Sequence, residues 1–267
     1  MKKITINFVL LFFLISQVYA QEQIIVSLTD PQAPGKLIVD HIKGSIHVLG
    51  YQGEAVIINA SSRLSKTKIK SKTDNIGLHN NASDKIQLSA QEKNNEIVVT
   101  TNSHRGTIDL EIRIPINFSL KLKTYYNGNI HVQNVSGDLE ITDINGDVNL
   151  ENISGSAVVN TIDGHIFAHF KKVTPDVPMA FSSVEGKIDV TFPSNIKAYV
   201  KMKSDNGEIF NDFKIQIDKR KTQINQFDKT GAHRISLENW TNGKINGGGP
   251  EILLKTLEGN IYVRKGK

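Results

Sequence analysis

The sequence predicts an all-β protein built as a parallel β-solenoid, in which strand-turn units of nine residues repeat and two units form one coil. Two observations lead to this prediction. Apolar and polar residues alternate within each unit, which is typical of a strand with one buried face. A glycine also returns every nine residues through the middle of the chain, and these turn glycines are Gly128, Gly137, Gly146, Gly155 and Gly164.

Apolar residues keep a constant distance from these glycines, and we expect them to form the core. The second position holds Ile130, Leu139, Val148, Ala157 and Ile166, and the fourth holds Val132, Ile141, Leu150, Val159 and Ala168. The seventh position holds Val135, Ile144, Ile153 and Ile162, which we expect to point inward as corners. A charge at Ile144 should therefore unfold the chain locally.

Each unit ends in a predicted turn, as in Asn134-Val-Ser-Gly137 and Asn152-Ile-Ser-Gly155. Asn, Asp and Ser suit turns because their side chains bond nearby backbone, and glycine accepts a positive φ. An antiparallel meander would also give strand-turn-strand units. The uniform turns favour the solenoid, in which residue i stacks on residue i+18.

Similar units outside the centre extend the predicted fold from about Ile24 to the C-terminus, as one domain covering residues 21–267. Further units surround Gly44, Gly186, Gly207 and Gly259. Two irregular insertions interrupt the period, near 61–95 and 210–235, and we interpret them as longer strands, hairpins or loops on the flank of the solenoid.

The N-terminus, residues 1–20, is predicted to be a secretory signal peptide. Lys2 and Lys3 precede an apolar run from Phe8 to Ile15, which is too short to span a membrane, and Val18-Tyr19-Ala20 forms a small-x-small cleavage site. We therefore expect an exported protein, periplasmic or at the cell surface, with no integral membrane span after cleavage. The chain has no cysteine, which excludes disulfides and an acylated cysteine.

The mature chain would carry a formal charge of +3, because removal of Lys2 and Lys3 lowers the value of +5 for the full sequence. So small an excess gives no reason to invoke nucleic acid, and export argues against it.

The sequence resembles a bacterial β-strand-repeat family of unknown function that is adhesin-like, related to the head GIN domain proteins of Bacteroidota that carry the label "putative auto-transporter adhesin". The resemblance rests on Gly44-Ser-Ile-His-Val-Leu-Gly50, on the strand pair of residues 112–124, on the repeats from Asn127 to Phe170, and on the closing residues 249–263. It implies a right-handed β-helix-like fold and an exported location. It supplies no catalytic or ligand residues.

Metal sites and cofactors are not predicted. The residue after each glycine varies, as Asn129, Asp138, Asp147, Ser156 and His165, so that too few oxygen ligands converge for Ca²⁺. His165 and His169 would lie roughly 13 Å apart along one strand, too far for one zinc ion.

Catalysis is not predicted either. No serine lies in a nucleophile turn with a candidate partner. Some parallel β-helices cleave polysaccharides with paired carboxylates, and Asp138, Glu140, Asp147 and Glu151 are expected to point outward. With a single tryptophan, Trp240, and 7% aromatic residues, the chain lacks the aromatic subsites usual in such enzymes.

A basic stripe is the most prominent polar feature, comprising Arg63, Lys66, Lys68, Lys70 and Lys72. The alternating lysines would line one strand face, which could contact an anionic surface. The alternative, which we favour, is an edge strand protected by lysines against aggregation.

We therefore predict a non-catalytic envelope or cell-surface scaffold of the binding or adhesion type, with a glycan or an envelope protein as partner. A periplasmic accessory or sensor in an envelope-stress, sigma-factor response is an alternative. A polysaccharide-degrading β-helix is the third.

Overall fold

A computed structural model describes residues 22–63, 87–102, 106–218, 224–227, 234–237 and 240–267, and the regular structure of these residues is all β. The all-β prediction is confirmed. No helix in the described residues is long and apolar enough to cross a membrane.

Twenty-two strands make up the described fold. The first eleven are β1 (Glu22–Ser27), β2 (Gly35–Lys43), β3 (Ile46–Tyr51), β4 (Ala55–Arg63), β5 (Gln87–Lys93), β6 (Glu96–Asn102), β7 (Thr107–Pro115), β8 (Phe118–Tyr126), β9 (Ile130–Gln133), β10 (Ser136–Asp143) and β11 (Val148–Asn160). The others are β12 (Ile166–Val173), β13 (Met179–Glu185), β14 (Ile188–Phe192), β15 (Ala198–Asn206), β16 (Ile209–Asn211), β17 (Ile215–Ile217), β18 (Ile224–Phe227), β19 (Arg234–Leu237), β20 (Thr241–Ile245), β21 (Glu251–Glu258) and β22 (Ile261–Lys265).

Two ladders of paired strands face each other across one core. Ladder 1 runs in the order β5, β6, β2, β8, β10, residues 154–160 of β11, β13, β21, β15, β20 and β17. Ladder 2 runs in the order β1, β4, β7, β3, β9, residues 148–151 of β11, β12, β14, β22 and β16. The hairpin of β18 and β19 forms a separate two-stranded sheet.

The expected stacking of residue i on residue i+18 occurs in the central coils. Leu139 lies opposite Ala157 in the parallel pair of β10 and β11, and Ile130, Val148 and Ile166 follow one another across ladder 2. Elsewhere the interval differs, as where Ile166 lies opposite Ile188.

The ends of both ladders depart from a purely parallel arrangement. β1 with β4 and β4 with β7 pair antiparallel at one end of ladder 2. β5 pairs antiparallel with β6, and β20 pairs antiparallel with both β15 and β17. The prediction of one parallel solenoid from Ile24 onward is therefore wrong for these end strands, because β1, β4, β5, β17 and β20 pair antiparallel, whereas the strands between them pair parallel.

The order of the coils in space is not their order in the chain. The coil of β2 and β3 lies between the coil of β6 and β7 and that of β8 and β9. In the same way, β21 and β22 lie between the coil of β13 and β14 and that of β15 and β16. Segments near both termini are thus inserted between other coils.

The seventh-position residues fall into two different corners. Val135 and Ile153 are buried, with 1% and 0% exposure, whereas Ile162 is 49% exposed and Ile144 is only half-buried. The placement of Ile144 in the core was wrong. Because two units form one coil, successive corners alternate between the two ends of the cross-section, and only one end is closed over.

The repeated glycines are required mainly by close backbone contact. A Cβ on Gly146 would lie 2.0 Å from the carbonyl oxygen of Gly128, and one on Gly164 would lie 1.9 Å from that of Gly146. Of the five regularly spaced glycines, Gly155 alone has the predicted positive φ, of 153°, and the turn residues Asn134 and Asn152 have φ of 57° and 56°. The same contact connects a column of glycines in spatial order: Gly44, Gly128, Gly146, Gly164, Gly186, Gly259 and Gly207.

A column of buried polar side chains runs beside these glycines and donates to their carbonyl groups. Thr256 donates to Gly186 over 2.9 Å, and Ser204 donates to Gly259 over 2.7 Å. The donors of this kind are Thr124, Thr161, Ser183, Thr256 and Ser204. His41 lies in the same column, 2.7 Å from the carbonyl oxygen of Ile108. The column explains how polar residues are accommodated inside an apolar stack.

Candidate binding face

The outer surface of ladder 2 carries a continuous row of ring-bearing and polar side chains, which we call the ring row. Each member is the third residue after a glycine of the column, and in all but β16 its neighbours in the strand point into the core. Strand register places them side by side in the order His47, His131, Asn149, Phe167, Asp189, Tyr262 and Phe210.

One end of the ring row is aromatic. The rings of Phe210 and Tyr262 are stacked, with centroids 4.8 Å apart and planes 8° from parallel. Phe210 is 42% exposed. The pair forms a flat apolar surface open to solvent.

Cations flank these rings. The guanidinium of Arg264 lies 4.9 Å from the ring centroid of Tyr262 and donates two hydrogen bonds to Asp189, over 2.6 and 3.0 Å. These bonds raise the pKa of Arg264. The ammonium of Lys187 lies 4.6 Å from the ring centroid of Phe167. Cations at these distances are attracted to the ring faces.

The other end of the row is polar. The imidazoles of His47 and His131 lie 4.7 Å apart. Burial and the neighbouring His47 lower the pKa of His131, against an opposing effect of Glu151, so His131 is neutral near pH 7. Its Nε2 lies 3.6 Å from Glu151, which is too long for a hydrogen bond. Glu151 accepts hydrogen bonds from Gln133 and Asn149, over 2.7 and 3.1 Å.

The variable residue after each glycine acts as a backbone acceptor. Asp147 accepts from the N–H of His165 over 2.7 Å, and His165 Nδ1 accepts from the N–H of Lys187 over 3.1 Å. Asn129 accepts in turn from the N–H of Asp147. At the other end of the coil, Ser156 donates instead to Asp138 over 2.6 Å, so different polar residues at this position connect neighbouring coils. Within the described ranges, no group of three His, Cys, Asp or Glu side chains could hold a metal ion.

The basic stripe of the sequence lies almost wholly outside the described residues. Arg63 ends β4, but its side chain and the whole of Lys66, Lys68, Lys70 and Lys72 lie outside the described residues. The suggestion that this stripe contacts an anionic surface stays a prediction. In the sequence, the ring row is marked by the third residue after each glycine of the column, and not by the first.

The family model of Toastrack DUF4097 matches residues 128–246, which include all five regularly spaced glycines. The similarity to Toastrack DUF4097 is thus shown for these residues, which make up less than half of the chain. This domain is one of unknown function, as the resemblance to an adhesin-like family of unknown function predicted.

Two solved structures are similar to this chain. One, described as a "putative cell adhesion protein" from Clostridium sporogenes, has a TM-score of 0.49 and 12% identity, covering 92% of this chain and 99% of that one. The other, a "putative adhesin" from Bacteroides fragilis, has a TM-score of 0.39 and 11% identity, covering 92% and 96%. No curated protein matches the sequence.

Proposed function

We propose that this chain is an exported, non-catalytic scaffold that binds an extended glycan along the ring row. The observation that supports this most is the register of the row, which places one outward side chain from each of seven successive coils on a single line. At the usual ~4.8 Å between paired strands, the line is roughly 30 Å long.

Ring chemistry favours a glycan over other extended polymers. Stacked Phe210 and Tyr262 offer a flat apolar surface to the C–H faces of a sugar ring, while the hydroxyl of Tyr262 can bond a sugar hydroxyl. Asn149 and Gln133 supply amide donors and acceptors further along the same face. Lys187 adds positive charge beside Phe167, which favours a glycan with acidic groups, whereas the charge of Arg264 is balanced by Asp189.

Export and handedness belong to the same proposal. The predicted signal peptide would deliver the domain of residues 21–267 to the periplasm or the cell surface, where such glycans occur. We propose a right-handed coil, because crossovers between parallel strands of one sheet are right-handed in nearly all proteins. The lysine stripe of the 61–95 insertion would then act as an edge protector or a secondary contact.

A glycan array probed with the mature chain, followed by titration of each hit, tests the proposal. We expect acidic oligosaccharides to bind and Tyr262→Ala with Phe210→Ala to weaken that binding at least tenfold. Tyr125→Ala on ladder 1 is the matched control, because it removes an outward tyrosine from the opposite surface. Absence of any glycan binding, or an equal loss in the control, would refute the proposal.

A further inference from the structure

A cavity of about 540 Å³ lies at one corner of the stack, away from the ring row. Three connections enclose it: residues 174–178 after β12, residues 193–197 after β14, and residues 246–250 after β20. Its volume lies within the range of natural small-molecule sites, roughly 300–1,000 Å³.

The interior of the cavity is apolar and rigidly built. Met179, Ile196 and Ile252 line it and are all nearly fully buried, with exposures of 4%, 3% and 0%. Pro193 and Pro250 also line it, and their fixed φ angles limit the freedom of two of the three connections. A cavity walled in this way does not need to reorganise when a ligand enters.

Positive charge surrounds the opening. Lys171, Lys172 and Lys197 line the cavity and are exposed, whereas Asp176 is the one acidic residue among its lining. None of the ion pairs found between described residues involves these three lysines. The ammonium groups are therefore available to an anionic ligand.

We propose that this cavity binds an amphipathic organic anion, with its apolar body against Met179, Ile196 and Ile252 and its acidic head at the rim lysines. A carboxylate head group and a phosphate head group could each form ion pairs with the rim lysines. The anion enters from solution as a monomer, such as a free acyl acid, and not from a membrane. This site is independent of glycan binding, because it shares no residue with the ring row.

Calorimetric titration of the mature chain with dodecanoate, below its micelle-forming concentration, tests the proposal. We expect one dodecanoate per chain and at least tenfold weaker binding of dodecyltrimethylammonium, which has the same tail and the opposite charge. Val177→Trp, which places an indole in the cavity from a loop, should abolish binding of dodecanoate. The double variant Lys172→Gln/Lys197→Gln should weaken it at least fivefold.

Two controls separate the cavity from general effects. Lys255→Gln, an exposed lysine on the outer surface of ladder 1, should leave dodecanoate binding unchanged, and so should Phe210→Ala. Equal binding of both amphiphiles, or full binding by Val177→Trp with an unchanged melting temperature, would overturn the proposal. Binding to phosphatidylglycerol vesicles without binding of monomeric dodecanoate would also overturn it, since surface charge alone would then suffice.

Discussion

The carboxyl group of Asp143 occupies a position where five neighbouring coils have a threonine or a serine. Its backbone lies opposite Thr124, and the side chain is 1% exposed. Oδ1 accepts from the N–H of Asn145, whereas Oδ2 has no hydrogen-bond partner among the described residues. Both Oδ2 and the carbonyl oxygen of Gly128 lie beside the Cα of Gly146. A proton on Oδ2 would therefore complete the column of donors.

Burial raises the pKa of Asp143 to about 7, with a further contribution from Asp147, although backbone N–H groups of Asn145 and Ile144 act in the opposite direction. Since the folded pKa lies above the ordinary value of 3.8, the native state binds the proton more tightly than the unfolded chain does. The stability that this group contributes is complete below about pH 4. It is lost as the pH rises to about 7 and beyond.

We expect Asp143→Thr to raise the free energy of unfolding at pH 8 by about 2–4 kcal/mol, because a hydroxyl donates without ionising. At pH 4 the variant and the wild type should differ little. Urea denaturation between pH 4 and pH 8 measures both values. Asp163→Thr, which changes an exposed aspartate, serves as the control. Parallel pH profiles for Asp143→Thr and the wild type would contradict a protonated Asp143.

At the scale of the element, the two ends of each coil differ although their sequences look alike. Ile153 lies in β11 beside Asn152, whose left-handed backbone turns the strand without ending it. Ile144 follows the last residue of β10 and is half-buried. The stack is sealed at the Ile153 corner and partly open at the Ile144 corner.

Because Ile153 is buried and Ile144 is half-buried, we expect a charged side chain to destabilise the fold more at Ile153 than at Ile144. Ile153→Asp should prevent folding or cost at least 4 kcal/mol, because its carboxylate would be buried without a partner. Ile144→Asp should cost about 1 kcal/mol, since its side chain can turn toward solvent. Urea midpoints of the two variants measure the difference, and equal midpoints would show that the two corners are packed alike.

The sequence was sufficient to predict the central strands and their stacking interval, because both depend on local periodicity. Leu139 over Ala157 follows directly from the glycine spacing. The role of Asp143 could not be predicted, since its equivalence to Thr124 depends on a register with an interval of nineteen residues. The ring row was present in the sequence, at the third residue after each glycine, but only the register shows that its members are neighbours.

At the scale of the whole molecule, the stack is closed by segments that are distant in the chain. Gly44 and Gly259 belong to units that look like any other in the sequence. In the folded chain, however, each of these units lies between two coils that follow one another in the sequence. Nothing local distinguishes an inserted coil from a terminal one, so this order was beyond prediction. As a result of this order, β21 and β22 each pair with a strand on both of their edges.

Removal of residues 251–267 should therefore disrupt much more than the end of the chain. Both β13 with β14 and β15 with β16 would lose their neighbours, so we expect loss of amide protection throughout residues 179–211 in hydrogen-exchange mass spectrometry. Removal of residues 22–27, which form the edge strand β1, should leave protection in the central coils unchanged. Retained protection of residues 179–211 in the first truncation would mean that the inserted coil is dispensable.

Hydroxyl-radical footprinting of the mature chain, with and without a glycan selected on the array, tests the central claim most directly. This method measures the solvent exposure of individual side chains. If the ring row is the binding face, Phe210, Tyr262 and Phe167 become protected while Tyr125 and Tyr199 on ladder 1 keep their oxidation rates. Protection of the ladder 1 tyrosines, with Phe210 and Tyr262 still oxidised at their free rates, would contradict the account.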